Sequence, residues 1–300
     1  MFVADGFEPI VAVNPLERTR LLKHKGSSIR AVVTRGSVGL SAMDIAQLPS
    51  LEIICSLGAG YENIDLCAAN ERGIIVTFGP GLNTASVADH ALALLLSIVR
   101  DIPQTDTSVK LGSWDRRVRP GISGRHLGIL GLGAIGEAIA KRAANGFDMS
   151  VSYCSRRPKE NCSYNFEPNV QTLASISDFL IVATPGGAET THLVNEHVLD
   201  ALGPQGYLVN IARGSVVDTR ALISALKEYR IAGAALDVIE GEPIIPVEAR
   251  DCPNLILTPH IAGRSPDAVE ATVKQVINNL LAYFSGRKVL SPVPSTVSKS

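Results

Sequence analysis

The sequence predicts an α/β protein of parallel sheets covered by helices on both faces, and three observations carry that prediction. Runs rich in Val and Ile alternate with helical stretches along the chain, the pattern of strands joined by helical crossovers. At 300 residues the chain exceeds the usual size of one hydrophobic core, so two doubly wound parallel-sheet domains are expected. One apolar run, Leu127 to Leu130, passes directly into Gly131-x-Gly133-x-x-Gly136 and then an Ala-rich helical stretch, Glu137 to Ala144. That is a phosphate-binding turn in its proper strand-turn-helix setting.

Taken in order, strands are expected at Arg30 to Thr34, Leu51 to Ser56 and Ile74 to Phe78, followed by a strongly apolar helix from Ser86 to Arg100. Between Asp101 and Arg125 the alternation lapses into a polar stretch with Trp114 and Pro120, read as the passage between domains. Strands resume at Gly128 to Leu130, Met149 to Cys154, Phe179 to Ala183, Tyr207 to Ile211 and Leu255 to Thr258. A last helix, Asp267 to Phe284, follows Ser265-Pro266, a capping hydroxyl with proline at the first helical position. A chain returning along that helix makes the outer domain discontinuous, 1–97 with 283–300, around a dinucleotide domain of 98–282. Beyond Ser291 lies a tail containing Ser and Pro.

In the glycine turn, the first glycine permits the tight bend, the second lets a pyrophosphate approach the backbone, and the third lets helix pack on strand, with phosphate at the helix N-terminus. The end of the next strand selects the nucleotide. A carboxylate there would accept the two hydroxyls of an adenosine ribose, but the chain has Cys154-Ser155-Arg156-Arg157-Pro158 and no acid before Glu160. Two guanidiniums and a hydroxyl suit a 2′-phosphate, which predicts NADP(H) in preference to NAD(H).

Composition narrows the partners. A net charge of −1 gives no basic surface for nucleic acid or an acidic membrane. The longest apolar run, Ala91 to Val99, is too short to span a bilayer, and Met1 to Pro15 has no signal-peptide pattern. The five cysteines show no metal-ligand or C-x-x-C spacing, as expected of reduced thiols in a cytoplasm.

Three later segments bring chemistry to strand ends, where ligands of open parallel sheets bind: Asn210-Ile211-Ala212-Arg213-Gly214, Asp237 to Pro243, and Thr258-Pro259-His260-Ile261-Ala262-Gly263. Arg can hold a carboxylate bidentately, His can exchange a proton near neutral pH, and a Glu bonded to the imidazole can orient it and favour its charged form. Glu240 and Glu242 compete for that last role, since both lie in one acidic turn. Asp89 and His90 read as structural members of the apolar helix. Arg264 reads either as a contact to a second polar end of the substrate or as a solvent-facing arginine.

These motifs resemble the D-isomer-specific 2-hydroxyacid dehydrogenase family over nearly the whole chain. The resemblance is carried by Leu57-Gly58-Ala59-Gly60-Tyr61-Glu62-Asn63-Ile64-Asp65, Ser86-Val87-Ala88-Asp89-His90-Ala91, Gly131 to Gly136, Asn210 to Asp218, Asp237 to Pro243 and Pro259-His260, with 29 residues from Arg213 to Glu242. It implies a Rossmann NADP-binding domain inserted in a smaller flavodoxin-like substrate domain. It further implies a catalytic set of Arg213, Glu242 and His260, with Glu242 preferred to Glu240, and substrate contacts from Leu57, Gly58 and Ala59 as well as Arg213 and His260. Cofactor contacts are implied at Gly131, Gly133, Ala134, Ile135, Ser155, Arg156, Arg157, Thr184, Pro185, Ile211, Ala212, Arg213, Asp237, His260, Ala262 and Gly263, with Asp237 near the nicotinamide carboxamide.

The activity implied is NADPH-dependent reduction of a 2-oxo acid to the D-2-hydroxy acid, with domain closure excluding water. Within the family the Ser-Arg-Arg-Pro run is similar to that of the NADPH-preferring glyoxylate, hydroxypyruvate, hydroxyphenylpyruvate and 2-ketogluconate reductases. A homodimer is implied, in which Trp114 either packs locally or reaches the neighbouring subunit's site. Family members begin with a strand and helix ahead of the segment matching Glu8 to Asn14, so either the outer domain lacks that strand or its start is misassigned. The alternative in another class is a nucleotide-sensing binding protein of the co-repressor type, which shares the fold and the Arg-Glu-His set.

Overall fold

The computed structural model describes residues 2–294 and divides the chain into two compact units, one up to Asn83 together with the segment from Ser265, the other Thr84–Arg264. The last residues of the expected tail, 295–300, lie outside the described residues. In chain order the regular elements are α1 (Pro15–Lys25), β1 (Ala31–Thr34), α2 (Ala42–Ala46), β2 (Ile53–Ser56), α3 (Leu66–Glu71), β3 (Ile75–Thr77), α4 (Thr84–Val99), α5 (Ile102–Lys110), β4 (His126–Leu130), α6 (Ala134–Phe147), β5 (Ser150–Cys154), β6 (Asn165–Phe166), α7 (Val170–Ser175), β7 (Phe179–Val182), α8 (Glu196–Leu202), β8 (Tyr207–Asn210), α9 (Thr219–Lys227), β9 (Gly233–Leu236), α10 (Val247–Arg250), β10 (Leu255–Leu257) and α11 (Pro266–Phe284).

The first unit holds a parallel three-stranded sheet, β1-β2-β3. Side chains on β2 alternate between two cores because successive Cβ atoms point to opposite faces. Ile53 and Cys55 pack with Val276 and Leu280 of α11, while Ile54 joins Leu22, Ile45 and Val76 on the other face. Segment 7–13 carries no strand and no helix.

The second unit holds a seven-stranded parallel sheet in the order β10-β9-β8-β7-β4-β5-β6. The same alternation divides it. Leu127, Ile129, Phe179, Ile181 and Val209 face α4 and α6, whereas Leu130, Leu180, Val182, Leu208 and Leu236 face α7, α8 and α9. Strand order reverses between β4 and β7, which opens a crevice at their carboxyl ends, the place where nucleotides bind in this architecture.

The unit boundaries fall at 83/84 and 264/265, whereas 97/98 and 282/283 were expected. The apolar helix α4 lies in the second unit because it buries Val87, Ala91, Leu95 and Ile98 against β8, β9, β10 and α6. Helix α11 lies in the first because it covers β2. The polar stretch 101–125 is no passage between units either: it contains α5 and lies wholly within the second. One strand was not legible: the edge strand β6 has only two residues. β9, expected from the apolar run that Asp237 ends, reads Gly-Ala-Ala-Leu, without β-branched side chains. Small residues are needed there, since a Cβ on Gly233 would meet Ile98 of α4 at 3.0 Å.

Candidate active site

The glycine turn has the shape its sequence promised. Gly131 has φ 100°, and a Cβ there would lie 2.7 Å from the backbone of Thr184 at the end of β7, so the turn closes onto the switch point. A Cβ on Gly136 would lie 2.2 Å from the Gly131 carbonyl oxygen, so only glycine lets α6 approach β4. Around Gly133 there is open space. The N-cap of α6 is Gly133 and carries no side-chain bond, while α1, α2, α3, α7, α8, α9 and α11 are capped by Asn, Ser or Asp side chains. The first amides of α6, at Ala134 and Ile135, and its positive dipole end are therefore presented to an anion, as a bound pyrophosphate requires.

At the end of β5, Arg156 and Arg157 are exposed and Ser155 is half-buried. The Ser155 hydroxyl donates to the Arg157 carbonyl at 2.6 Å, and the Lys159 amide donates to the Tyr153 hydroxyl at 2.8 Å. The loop that carries the guanidiniums is thus held from both ends while they project into solvent.

The expected partners His260 and Glu242 are in contact. Nδ1 of His260 lies 2.6 Å from Oε1 of Glu242, whose other oxygen accepts the Ile239 amide at 3.4 Å. Burial pushes the Glu242 carboxyl upward, but the bond to His260, its charge, the Ile239 amide and the Arg213 charge together hold it below the usual carboxylate range. Glu240 turns elsewhere: it bonds His192 at 2.7 Å and accepts the Thr219 amide at 2.9 Å. The two acids thus meet different histidines, Glu242 with His260 and Glu240 with His192.

Asp237 organises the loop that delivers His260. Its carboxylate is 1% exposed and accepts the Thr258 hydroxyl at 2.6 Å and the amides of Ile261 and Ala262, each at 2.9 Å. Its carbonyl accepts the His260 amide, also at 2.9 Å. These bonds hold His260 at φ 54°, a left-handed conformation that a non-glycine residue keeps only when its surroundings impose it. His90 of α4 adds to the same knot, 3.1 Å from the Thr258 hydroxyl and 3.4 Å from Asp237, and the Ser86 hydroxyl donates to the Ala262 carbonyl at 2.6 Å. Asp237→Ala strips the acceptor from three donors, each worth about 1–3 kcal/mol when left unpaired, so a loss of roughly 3 kcal/mol or more is expected. Thermal unfolding reads it, and an unchanged midpoint would remove Asp237 from this role.

Arg213 stands beyond β8 on a loop tied by Asn210, which is fully buried. The Asn210 side chain accepts the Ala212 amide and donates to the Arg213 carbonyl, both at 3.0 Å. Ile211 donates its amide to Val182 at 3.3 Å, which keeps this loop beside that of Thr184 and Pro185. The roles of Asn210 and Thr258 were not legible in the sequence; a polar residue closing each apolar strand is the signal that would have found them. Asp89 pairs with Arg142 across α4 and α6, and Arg264 is exposed.

In the first unit, Leu57, Gly58 and Ala59 follow β2 directly. Leu57 donates its amide to Thr34 at 2.7 Å, so it is no free donor, and the expected amide grip narrows to Gly58 and Ala59. Gly58 has φ 103°, with its carbonyl fixed by the Gly79 amide at 2.7 Å.

Residues 92–262 match the family described as D-isomer specific 2-hydroxyacid dehydrogenase, NAD binding domain. The chain belongs to that family. It is 43% identical over 272 residues to hydroxyphenylpyruvate reductase of Plectranthus scutellarioides, covering 90% of this chain and 87% of the relative. It is 43% identical over 280 residues to glyoxylate/hydroxypyruvate reductase A of Arabidopsis thaliana, covering 92% and 89%. The solved NADPH-dependent glyoxylate/hydroxypyruvate reductase of Sinorhizobium meliloti, in complex with NADP and malonate, superposes with a TM-score of 0.87 at 38% identity, covering 92% and 88%. The protein is therefore an oxidoreductase of the 2-hydroxyacid type with a nicotinamide cofactor. Among the described residues, no helix is long and apolar enough to cross a membrane.

Proposed function

We propose that this dehydrogenase uses NADPH to reduce a small 2-oxo acid, of the glyoxylate or hydroxypyruvate kind, to its D-2-hydroxy acid. The observation that carries this reading is the 2.6 Å bond between His260 and Glu242, on the unit that also bears Arg213 and the open end of α6. When bound, the nicotinamide supplies the hydride. Arg213 holds the substrate carboxylate and polarises its carbonyl oxygen through charge-assisted bonds. Because Nδ1–H of His260 is donated to Glu242, Nε2 carries the proton given to the oxygen as negative charge develops there. Ionised Glu242 stabilises the imidazolium before transfer and fixes the ring.

The preference for NADPH is supported by two exposed arginines on a braced loop with no acid before Glu160. Arg156→Ala and Arg157→Ala are each expected to raise the KM for NADPH about tenfold, the worth of one charge-assisted phosphate contact, while the KM for NADH stays nearly constant. Equal changes for both nucleotides would count against the phosphate role. The overall reading is tested by following absorbance at 340 nm with NADPH and glyoxylate, hydroxypyruvate, hydroxyphenylpyruvate or 2-ketogluconate. Turnover with none of them would end it. A homodimer belongs to the proposal as well: Leu111, Trp114 and Val118 are 82%, 80% and 95% exposed, three apolar side chains in a polar stretch that a second copy would cover. A cytoplasmic setting agrees with the free state of all five cysteines.

A further inference from the structure

Three loops of the second unit meet at a histidine with no part in the proposed chemistry. His192 has φ 51°, a conformation kept by bonds from outside its own turn. Its amide donates to the Ser215 carbonyl at 2.8 Å, and its Nε2 lies 2.7 Å from Oε1 of Glu240. The other oxygen of Glu240 accepts the Thr219 amide at 2.9 Å. Asp218 is the second charged group facing the imidazole, 3.8 Å from Nδ1, and its carboxylate also caps α9 through the amides of Arg220 and Ala221.

These bonds join the loop that carries Arg213 to the turn that carries Glu242. Ser215 and Thr219 lie two and six residues beyond Arg213, and Glu240 lies two before Glu242. Between the two segments the backbones touch: a Cβ on Gly214 would lie 2.2 Å from the carbonyl carbon of Ile239. The Val194 amide donates to Val216 and the Asp218 amide to Val194, each at 3.0 Å, so the His192 turn is laced along the same loop. The pair is partly exposed, with side chains at 43% and 33%, and such pairs contribute little to global stability. Its place between two functional loops gives it another use.

We propose that His192 and Glu240 form a positioning clamp, fixing the Arg213 loop against the Glu242 turn so that guanidinium and acid/base pair keep one spacing toward the 2-oxo acid. This rests on the roles given above to Arg213 and His260. The clamp is also pH-sensitive. The bond to Glu240 raises the pKa of His192 above its ordinary value, more than burial lowers it. Glu240 is pushed up by burial but held low by His192 and Thr219. The charged pair is complete between those two values and weakens as pH rises through the His192 value.

The experiment compares Glu240→Gln, His192→Leu and His192→Gln in steady-state kinetics, with oxalate as a competing anion. Glu240→Gln and His192→Leu are expected to raise the KM for the 2-oxo acid and the oxalate inhibition constant about tenfold, the worth of one bond to a charged group. The KM for NADPH should stay within about twofold, while kcat falls with the lost spacing of Arg213 and the acid/base pair. His192→Gln keeps a donor for Glu240 and should recover most of the loss. By NMR, the His192 imidazole of the full chain should titrate at lower pH in Glu240→Gln than in the parent. Unchanged KM and oxalate values in both Glu240→Gln and His192→Leu overturn the clamp, as does an equal loss in His192→Gln and His192→Leu or a change confined to the melting temperature. If Arg213→Lys impairs a working parent enzyme and Glu240→Gln does not, the clamp fails alone. If the parent enzyme turns over no 2-oxo acid, the roles of Arg213 and His260 fail and take the clamp with them.

Discussion

His260→Gln is expected to lower kcat for 2-oxo acid reduction by about 10²- to 10⁴-fold, the usual worth of a positioned general acid, with little change in NADPH binding. Glutamine can still fill space and bond Glu242, but it has no proton to give at neutral pH. The alkoxide would then form without neutralisation, the costliest point on the path. Single-turnover rates under saturating NADPH measure the effect, and a variant within about threefold of the parent would remove His260 as the proton donor. The pair also sets the acid limb of the pH profile. The folded pKa of Glu242 lies below the ordinary carboxylate range, so its contribution is present above that range and is lost as pH falls through the lowered value. Reduction should therefore persist through mildly acidic pH, and Glu242→Gln should remove that acid limb.

Arg213→Lys is expected to cut kcat/KM for the 2-oxo acid by roughly 10²-fold, from loss of a bidentate contact worth about 3 kcal/mol. Lysine keeps the charge but cannot bond carboxylate and carbonyl in one plane. The loss should exceed that of a uniform binding contact because the carbonyl oxygen gains charge in the transition state, so kcat falls as well as affinity. A variant altered only in KM would leave Arg213 as an anchor with no part in polarisation.

Much of this was legible without coordinates because the physics behind it is local. The glycine turn specifies itself: Gly131, Gly133 and Gly136 sit at fixed offsets from an apolar strand, Gly131 and Gly136 answer steric demands that no other residue meets, and Gly133 leaves open space. The central strands β2, β4, β5, β7 and β8 were visible as short runs rich in apolar residues, since a strand buried on both faces favours that composition. Arg213, Glu242 and His260 were nameable because strand ends of a parallel sheet deliver them to one side.

What the sequence left open depended on contacts between distant segments. Whether α4 belongs with the strands before it or after it is decided by which sheet buries its apolar face, and an apolar helix does not name its partner. Glu240 and Glu242 are the same residue type two positions apart, and only the bonds to His192 and His260 tell them apart. Asp237 could be assigned to a cofactor from its motif, but its bonds to Thr258, Ile261 and Ala262 show a buried anchor for the His260 loop. By itself the sequence determined the parallel α/β class, the glycine turn and the polar residue types at the strand ends, because short-range sterics and strand burial leave few choices. Only the tertiary structure decided which carboxylate meets which histidine and where the two units divide, because those outcomes turn on side-chain directions and burial between segments far apart in the chain.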